Sequence, residues 1–252
     1  MDTLTPEQQQ RYTRQIVLEG VGKEGQRRLL RHKILIIGTG GLGSPAATYL
    51  TAAGIGTIGL VDDDAVELSN LNRQTLHSTA DIGVDKTRSA AQKLRNLNPD
   101  VQVIEHRLRV TEESIGPLLA PYDLILDATD NYPTRYIIND GCVRARKPLM
   151  HAGVSAFGGQ AFLMLPGRTP CYRCLIPEAP PQPVFPPGLG APILGATAGI
   201  MGTIQAMESI KFILGIGEPL IGKILTFNGL TMQFRQIPFP RDPECPVCGH
   251  LT

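Results

Sequence analysis

The sequence lacks an excess of charge of either sign. It carries 24 Lys and Arg against 23 Asp and Glu, which leaves a formal net charge of +1 over 252 residues. Proteins whose main partner is nucleic acid usually carry a clear basic excess, often gathered in a patch. The balance therefore argues against nucleic acid and against an anionic membrane as the principal partner.

Long apolar segments are also missing. The N-terminal stretch MDTLTPEQQQRYTRQ is polar and has no apolar core of a signal peptide. The segment 195–217 comes closest to a membrane span, but Gln205, Glu208 and Lys211 interrupt it. We therefore expect no membrane segment and a cytoplasmic location.

Cysteine is scarce, and four of the five cysteines form two C-x-x-C pairs, Cys171 with Cys174 and Cys245 with Cys248. Without a secretory signal, this pattern favours metal binding over a disulfide framework. Four thiolates at the corners of a tetrahedron make a structural zinc site, which leaves no open coordination position for catalysis. A redox-active C-x-x-C is the less favoured alternative, because there are two pairs and neither opens a helix after a strand. We expect Cys142, in an apolar helical stretch, to be a small buried core residue.

Apolar periodicity predicts strands alternating with helices over the first 150 residues. Strands are predicted at 34–37, 57–61, 101–104, 124–126 and from 148, and helices at 24–32, 41–53, 85–96 and 132–146. This order predicts an α/β fold with a Rossmann-like, doubly wound, mostly parallel sheet.

The pattern changes after residue 153. A strand at 160–165 has no helix before it, so we expect it to pair antiparallel. Seven prolines between 177 and 192 predict an extended loop. A helix is predicted at 196–214, followed by a closing pair of antiparallel strands at 223–227 and 232–237.

The stretch ILIIGTGGLGSPAATYL, residues 34–50, carries Gly38, Gly40 and Gly43 in the G-x-G-x-x-G spacing, with Gly41 between them. Glycine lets the backbone approach a phosphate closely, and free N–H groups at a helix start favour negative charge. A tight turn that binds nothing is the alternative. The strand before and the helix after favour a nucleotide site.

The residues that follow bear on which nucleotide binds. Asp62 ends the second predicted strand, about twenty residues beyond the glycines, where a carboxylate can accept hydrogen bonds from ribose in either NAD or ATP. Asn70, Arg73, Gln74 and Lys86 come next. Each cation alone would be read as a solvated loop residue. Two cations beside a phosphate cradle favour a triphosphate.

A further carboxylate, Asp130, follows the fourth predicted strand, at the same edge of the sheet as the glycines and Asp62. Magnesium prefers oxygen ligands and bridges phosphates, so Asp130 is a candidate ligand for Mg²⁺. Asp127 lies closer to the strand body, and we expect it to be a structural hydrogen-bonding carboxylate.

Together, the glycines, Asp62, the run SNLNRQ at 69–74, Lys86, Asp130-Asn131 and the paired cysteines resemble the MoeB/ThiF/HesA family, and within it the MoeB branch. These are bacterial relatives of ubiquitin-activating enzymes. The resemblance runs from Arg11 to Gly249. It implies a nucleotidyltransferase that uses ATP to adenylate the C-terminal Gly-Gly of a ubiquitin-fold sulfur carrier of the MoaD/ThiS type.

The resemblance also implies roles for individual residues. Asp62 would bind ribose, Asn70, Arg73 and Lys86 the phosphates, and Asp130 the Mg²⁺. The implied catalytic residues are Arg14, Arg73 and Asp130, with Arg14 reaching the ATP of the partner subunit in a homodimer. The implied ATP contacts are Gly38, Gly40, Gly41, Gly43, Asp62, Ser69, Asn70, Arg73, Gln74, Lys86, Asp130 and Asn131. One domain over 1–252 would comprise a helical arm (1–32), a nucleotide-binding half (33–154) and a zinc-stabilised, carrier-binding half (155–252).

One departure concerns the loop after the first C-x-x-C. Many family members carry a cysteine there that links covalently to the carrier, whereas residues 183–188 read PVFPPG. A covalent cysteine step through this loop is therefore not expected. Since no rhodanese domain precedes the end at Thr252, we expect a separate protein to donate sulfur.

Three other functions stay open at this point. An NAD-dependent oxidoreductase fits the glycine spacing and Asp62, although no acid or base for a hydride site is evident. A zinc-stabilised scaffold would bind a carrier without turnover. Adenylation of another carboxylate, in a peptide or a modified tRNA nucleoside, stays within the superfamily. The carrier's pathway is also open: molybdopterin, thiamine, tRNA thiolation or a secondary metabolite.

Overall fold

The computed structural model describes residues 3–181 and 191–251, and in that part eight strands form a single sheet. The strands are β1 Lys33–Ile37, β2 Thr57–Val61, β3 Gln102–His106, β4 Leu124–Asp127, β5 Leu149–Ser155, β6 Gly158–Met164, β7 Lys223–Asn228 and β8 Gln233–Pro238. The helices are α1 Pro6–Arg11, α2 Thr13–Ile16, α3 Gly22–Arg31, α4 Gly43–Ala53, α5 Lys86–Leu97, α6 Glu112–Leu119, α7 Tyr132–Arg144, α8 Tyr172–Leu175 and α9 Gly195–Leu214.

The strand order is β3-β2-β1-β4-β5-β6-β7-β8, with parallel pairing from β3 to β5 and antiparallel pairing from β5 to β8. This confirms the predicted fold class, including the antiparallel strand after residue 153. The chain runs outward from β1 to β3 and then returns to the other side of β1 to form β4. A crevice therefore opens between the carboxyl ends of β1 and β4, where open α/β sheets bind ligands.

Both faces of the sheet are covered, which explains why the central strands read as continuous apolar runs. Ile34 and Ile36 of β1 face one core, which includes residues of α4 and α9. Leu35 and Ile37 face a second core, which includes residues of α6 and α7. The alternation along one strand therefore fills two cores.

Helix α6 is not among the predicted elements, and Gly116 and Pro117 lie within it. The structure begins it with a capping box, in which the Thr111 hydroxyl accepts a hydrogen bond from the Ser114 N–H. Burial of Ile115 and Leu119 then holds the helix against the second core. Packing and capping together outweigh the two helix-breaking residues.

Several element boundaries differ from prediction by one or two residues. The last predicted strand starts at Gln233 instead of residue 232, because Met232 has φ +54°, outside the extended region. The helix predicted to end at residue 146 ends at Arg144, and Arg146 has φ +51°. Most of the predicted loop at 177–192, including the cysteine-free stretch 183–188, lies outside the described residues.

Among the described residues, none of the helices combines the length and apolar character that crossing a membrane requires.

Candidate functional site

A cavity of about 490 Å³ opens at the carboxyl ends of the parallel strands, within the size range of small-ligand sites. We call it the strand-end cavity. Nine residues predicted to bind ATP line it: Gly38, Gly40, Gly41, Asp62, Arg73, Gln74, Lys86, Asp130 and Asn131. The fold thus gathers residues that are spread over more than ninety positions of the sequence.

Glycine is required in the glycine loop, residues 38–43, because the backbone there passes close to other chain segments. Gly38 has φ +95°, and a Cβ on it would lie 2.7 Å from the Ala128 carbonyl oxygen. A Cβ on Gly43 would lie 2.0 Å from the Gly38 carbonyl oxygen. The loop leads into α4, so the N-terminus of α4 and the positive end of its dipole lie at this end of the sheet. No side chain caps the first turn of α4.

The carboxylate of Asp62 holds the glycine loop in place. Its Oδ2 accepts hydrogen bonds from the Thr39 N–H at 2.8 Å and from the Thr39 hydroxyl at 2.9 Å. Its Oδ1 accepts from the Asp64 N–H at 3.1 Å and lies 3.9 Å from Lys86 Nζ. Asp62 therefore connects the glycine loop to Lys86, one of the cations of the cavity.

Lys86, the first residue of α5, is a buried cation. Its Nζ lies 2.7 Å from Asp64 Oδ2, and its side chain is only 7 % exposed. The carboxylates of Asp62 and Asp64 both lie beside this ammonium group. The pairing of Lys86 with Asp64 is not among the sequence predictions, which name Asp62 alone at the end of this strand.

Arg73 and Gln74 enter the cavity from the turn that follows Asn70. Arg73 Nη1 donates to the Ser69 carbonyl oxygen at 3.0 Å and to Asn72 Oδ1 at 3.1 Å, which orients the guanidinium group. Gln74 is buried, and its Oε1 has no hydrogen-bond partner among the described residues. Because buried polar atoms are rarely left unpaired, a ligand donor is the natural partner for this oxygen.

Four of the residues predicted for the ATP site do not line the strand-end cavity: Arg14, Gly43, Ser69 and Asn70. Asn70 is buried, and its Oδ1 accepts a hydrogen bond from the Glu67 N–H at 3.0 Å. Ser69 is exposed and donates its hydroxyl to Glu67 Oε2 at 3.2 Å. In the free chain these two residues shape the turn that carries Arg73.

Asp130 is an exposed carboxylate on the opposite wall of the cavity. It directly follows Thr129, which is held by hydrogen bonds. The preceding Thr129 donates its N–H to Asp127 Oδ1 at 3.0 Å and its hydroxyl to the same oxygen at 2.6 Å. The following Asn131 caps α7 by accepting the Thr134 N–H at 3.0 Å. Asp127 is buried and hydrogen-bonded, which confirms its predicted structural role.

Asp127 also pairs with the fully buried His151, whose Nδ1 lies 2.8 Å from Asp127 Oδ2. Burial lowers the pKa of His151 despite the neighbouring carboxylate, so the imidazole is neutral and donates through Nδ1–H. Burial alone would raise the pKa of Asp127, but His151 and the charge of Arg135 together lower it. The pair is therefore a carboxylate with a neutral donor.

Two cations of the cavity had not been predicted, Arg109 and Arg135. Arg135 Nη2 donates to the Thr129 carbonyl oxygen at 2.8 Å, so it holds the residue before Asp130. Arg109 follows the end of β3, which the parallel sheet brings to the same edge. Two sequence features could have indicated these cations. Arg109 follows the end of a strand, and Arg135 lies near the start of a helix.

The four paired cysteines meet in space, as predicted. The Sγ atoms of Cys171, Cys174, Cys245 and Cys248 all lie within 4.8 Å of one another. The Sγ–Sγ distances are 3.4 Å for Cys174–Cys248, 3.8 Å for Cys171–Cys245 and 4.0 Å for Cys171–Cys174. Tetrahedral zinc with Zn–S bonds of about 2.3 Å requires sulfur atoms roughly 3.8 Å apart. The donor set and its spacing therefore fit zinc.

The cysteine cluster is tied to the helix that carries Asn131 and Arg135. In α8, between the first two cysteines, the Tyr172 N–H donates to Asn139 Oδ1 at 2.8 Å, and Arg173 makes a bidentate ion pair with Asp140. Asn139 and Asp140 both belong to α7. The cluster thus anchors the C-terminal segment to one wall of the strand-end cavity. Cys142 is buried in the second core, as predicted.

Two known proteins are similar in sequence to this chain over nearly its whole length. The sequence of the sulfur carrier protein adenylyltransferase of Thermus thermophilus is 44% identical over 250 residues, covering 97% of this chain and 92% of that protein. The SAMP-activating enzyme E1 of Haloferax volcanii is 44% identical over 247 residues, covering 98% and 91% respectively.

Solved structures of E. coli MccB share the fold. The complex with MccA-N7isoASN superposes with a TM-score of 0.83 at 26% identity, covering 96% of this chain and 75% of MccB. The complex with ATP gives a TM-score of 0.77 at 28% identity, covering 89% and 68%. The model of the ThiF family matches residues 12–247, nearly the whole chain. The chain therefore belongs to the ThiF family.

Proposed function

We propose that this protein is an ATP-dependent adenylyltransferase that activates the C-terminal Gly-Gly carboxylate of a ubiquitin-fold sulfur carrier. The observation that carries the proposal is the composition of the strand-end cavity. It combines the glycine loop with Arg73, Lys86 and Asp130 at the switch point of the sheet. The names of the two relatives, one a sulfur carrier protein adenylyltransferase, support the same activity.

In this reaction a carboxylate oxygen of the carrier forms a bond to the α-phosphorus of ATP. The bond from that phosphorus to the oxygen bridging the β-phosphate breaks, and its electron pair leaves with pyrophosphate. The product is an acyl-adenylate. Because two anions must meet, the main demands on the protein are charge neutralisation and alignment.

The chain's residues meet these demands in distinct ways. Arg73 and Lys86 would neutralise phosphate charge, and the first turn of α4 would direct N–H groups to phosphate oxygens. Asp62 would accept hydrogen bonds from ribose, as its place after β2 suits. Asp130 is the candidate ligand for Mg²⁺, which when bound shields charge between phosphates.

The cysteine cluster would hold one structural zinc ion per chain. All four thiols serve as ligands in that arrangement, so none is left for covalent catalysis at the metal. Zinc would then act on the reaction only through the position of α7. We further propose a homodimer in which Arg14 acts on the partner subunit's ATP, and a separate protein that donates sulfur to the adenylate.

Pyrophosphate exchange tests the proposal. Purified protein is mixed with ATP, Mg²⁺, labelled pyrophosphate and each of a panel of carriers ending in Gly-Gly, and mass spectrometry detects the acyl-adenylate. We expect exchange with at least one intact carrier and none with the same carrier lacking the terminal Gly-Gly. Equal exchange with the truncated carrier would contradict activation at that carboxylate.

A second candidate is adenylation of a different carboxylate, such as one in a peptide. The specific support is the likeness to MccB, whose structure with MccA-N7isoASN superposes at a TM-score of 0.83. The same exchange assay separates the two, because a peptide substrate would promote exchange where every Gly-Gly carrier fails. Detection of a peptide adenylate in that experiment would favour this second candidate.

A further inference from the structure

A buried histidine, His77, lies behind the glycine loop. Its Nε2 is 3.2 Å from the Thr39 carbonyl oxygen, and its Nδ1 is 2.9 Å from the hydroxyl oxygen of Ser89 on α5. His77 is 6 % exposed and Thr39 is 1 % exposed. Among the described residues, His77 does not line the strand-end cavity, so its effect on a ligand must pass through the loop.

The hydrogen-bond partners determine which nitrogen of His77 carries the proton. A carbonyl oxygen can only accept, so Nε2 must be the N–H that donates to Thr39. Nδ1 then accepts the Ser89 hydroxyl proton. Ser89 Oγ in turn accepts from Lys93 Nζ at 3.0 Å, and Lys93 pairs with Asp81. Donation therefore runs in one direction, from Lys93 through Ser89 and His77 to Thr39.

Burial lowers the pKa of His77, and the charges of Lys93 and Lys86 act in the same direction. A neutral imidazole is the form that the hydrogen-bond chain requires, because Nδ1 must be free to accept. The charge state and the geometry therefore agree.

Thr39 is held from two sides. Its N–H and hydroxyl donate to Asp62, and its carbonyl accepts from His77 at 3.2 Å and from the Ser44 hydroxyl at 3.3 Å. It lies between Gly38 and Gly40, which impose little conformational restraint of their own. Without these contacts the loop would have to be ordered at the moment of ligand binding, which costs free energy.

We propose that His77 is a positioning residue for nucleotide binding, fixed as the neutral Nε2–H tautomer by Ser89 and Lys93. By holding the Thr39 carbonyl, it keeps the loop backbone at Gly40 and Gly41 in its ligand-binding conformation before the ligand arrives. The identity of that ligand as ATP rests on the function proposed above.

Isothermal titration calorimetry with Mg-ATP alone tests this role. We expect His77→Phe to raise the dissociation constant about tenfold, since it keeps a ring but loses the donor. His77→Gln places an amide N–H near the position of Nε2 and should stay within about threefold of wild type. Ser89→Ala removes tautomer selection and should weaken binding by about threefold.

A matched control is His106→Phe. His106 is partly buried, and its Nε2 lies 2.7 Å from the Tyr122 hydroxyl oxygen. His106 does not itself line the cavity. Its carbonyl oxygen accepts from the N–H groups of Asp62 and Leu108, which do line it, but His106→Phe keeps these backbone hydrogen bonds. This variant should therefore lower the melting temperature without changing the dissociation constant of Mg-ATP.

Hydrogen exchange of residues 38–44 in the nucleotide-free protein gives a second, ligand-independent measurement. Exchange should be faster in His77→Phe and close to wild type in His77→Gln. If His77→Phe does not fold, Ser89→Ala carries the same comparison. A folded His77→Phe that binds Mg-ATP within twofold of wild type, with unchanged exchange in the loop, overturns the inference.

The two proposals fail separately. Carrier-dependent pyrophosphate exchange in a protein whose His77 variants behave like wild type removes the role of His77 and leaves the adenylyltransferase standing. A wild-type protein that supports no adenylation, but whose loop exchanges faster in His77→Phe and at the wild-type rate in His77→Gln, removes the function and leaves the positioning role.

Discussion

Thr39 and Thr129 make matching sets of hydrogen bonds on opposite sides of the strand-end cavity. Each donates its N–H and its hydroxyl to a single carboxylate oxygen, of Asp62 for Thr39 and of Asp127 for Thr129. Each carbonyl oxygen accepts from a buried side chain, His77 in the first case and Arg135 in the second. The two loops that flank the crevice are therefore both fixed by the protein itself.

Removal of Arg135 should weaken the loop that carries Asp130. Arg135→Met leaves the buried Thr129 carbonyl oxygen without its donor and takes a cation away from Asp127. We expect a loss of about 1–3 kcal/mol in the free energy of unfolding, measured in urea, because buried groups then go unsatisfied. Pyrophosphate exchange should fall more than stability alone explains.

The control is Arg144→Met, at the exposed end of the same helix. It should change the free energy of unfolding by less than about 0.5 kcal/mol, as is usual for surface positions. If the Arg135 and Arg144 variants are equally active and equally stable, the hydrogen bond to Thr129 has no role in holding the loop.

We expect pyrophosphate exchange to require the positive charge of Lys86 beside Asp62 and Asp64. Lys86→Met keeps much of the buried side-chain volume but leaves Asp62 and Asp64 without their shared cation. We expect the rate of carrier-dependent pyrophosphate exchange to fall by a factor on the order of 100, the scale seen when one charge-stabilising group is removed from an active site.

Lys23→Met, at an exposed position of α3, serves as the matched control and should keep full exchange activity. Asp64→Asn is informative as well, because it loosens Lys86 while keeping a cation in the cavity. If Asp64→Asn is as inactive as Lys86→Met, then exchange activity depends more on the ion pair that positions Lys86 than on the presence of its positive charge in the cavity.

Loss of zinc should act through α7. We expect close to one zinc per chain by elemental analysis, and Cys248→Ser should lower that content and the melting temperature together. Exchange activity should decline because the contacts of Tyr172 and Arg173 with α7 depend on the cluster.

Cys142→Ala is the control for this experiment, since Cys142 is buried but lies outside the cluster. It should keep its zinc while losing some stability from the core. Metal-free wild-type protein with an unchanged melting temperature would remove the structural role of the site.

The sheet could be predicted from the sequence because the alternation of apolar strands and amphipathic helices is a local pattern. Parallel pairing then brings strand ends together, which is why Asp62 and Asp130 could be placed at one edge. The roles of His77 and Arg135 could not be predicted because they depend on hydrogen bonds to the backbone carbonyl oxygens of Thr39 and Thr129, which the sequence does not specify. Ser69 and Asn70 were expected to touch ATP, yet in the described chain their side chains are engaged with Glu67.

Asp81 offers a test of electrostatics at the outer end of the hydrogen-bond chain behind the glycine loop. Burial raises the pKa of its carboxyl, but hydrogen bonds from Lys93 and from the Ser78 hydroxyl and N–H outweigh it and lower the pKa to about 2. The folded pKa is below the unfolded value, so ionised Asp81 stabilises the protein above about pH 4, and this contribution disappears as pH falls toward 2.

Asp81→Asn should therefore reduce the free energy of unfolding at pH 7 by about 1 kcal/mol, less than the pKa shift alone implies because the Lys93 side chain is partly exposed to solvent. Urea unfolding at pH 7, 5 and 3 should show the difference from wild type shrinking toward the lowest pH. The exposed Glu19→Gln is the control and should show little difference at any pH. A difference between Asp81→Asn and wild type that grows on acidification would place the stabilising charge on another residue, because a carboxylate with a lowered pKa can only lose its contribution as it becomes protonated.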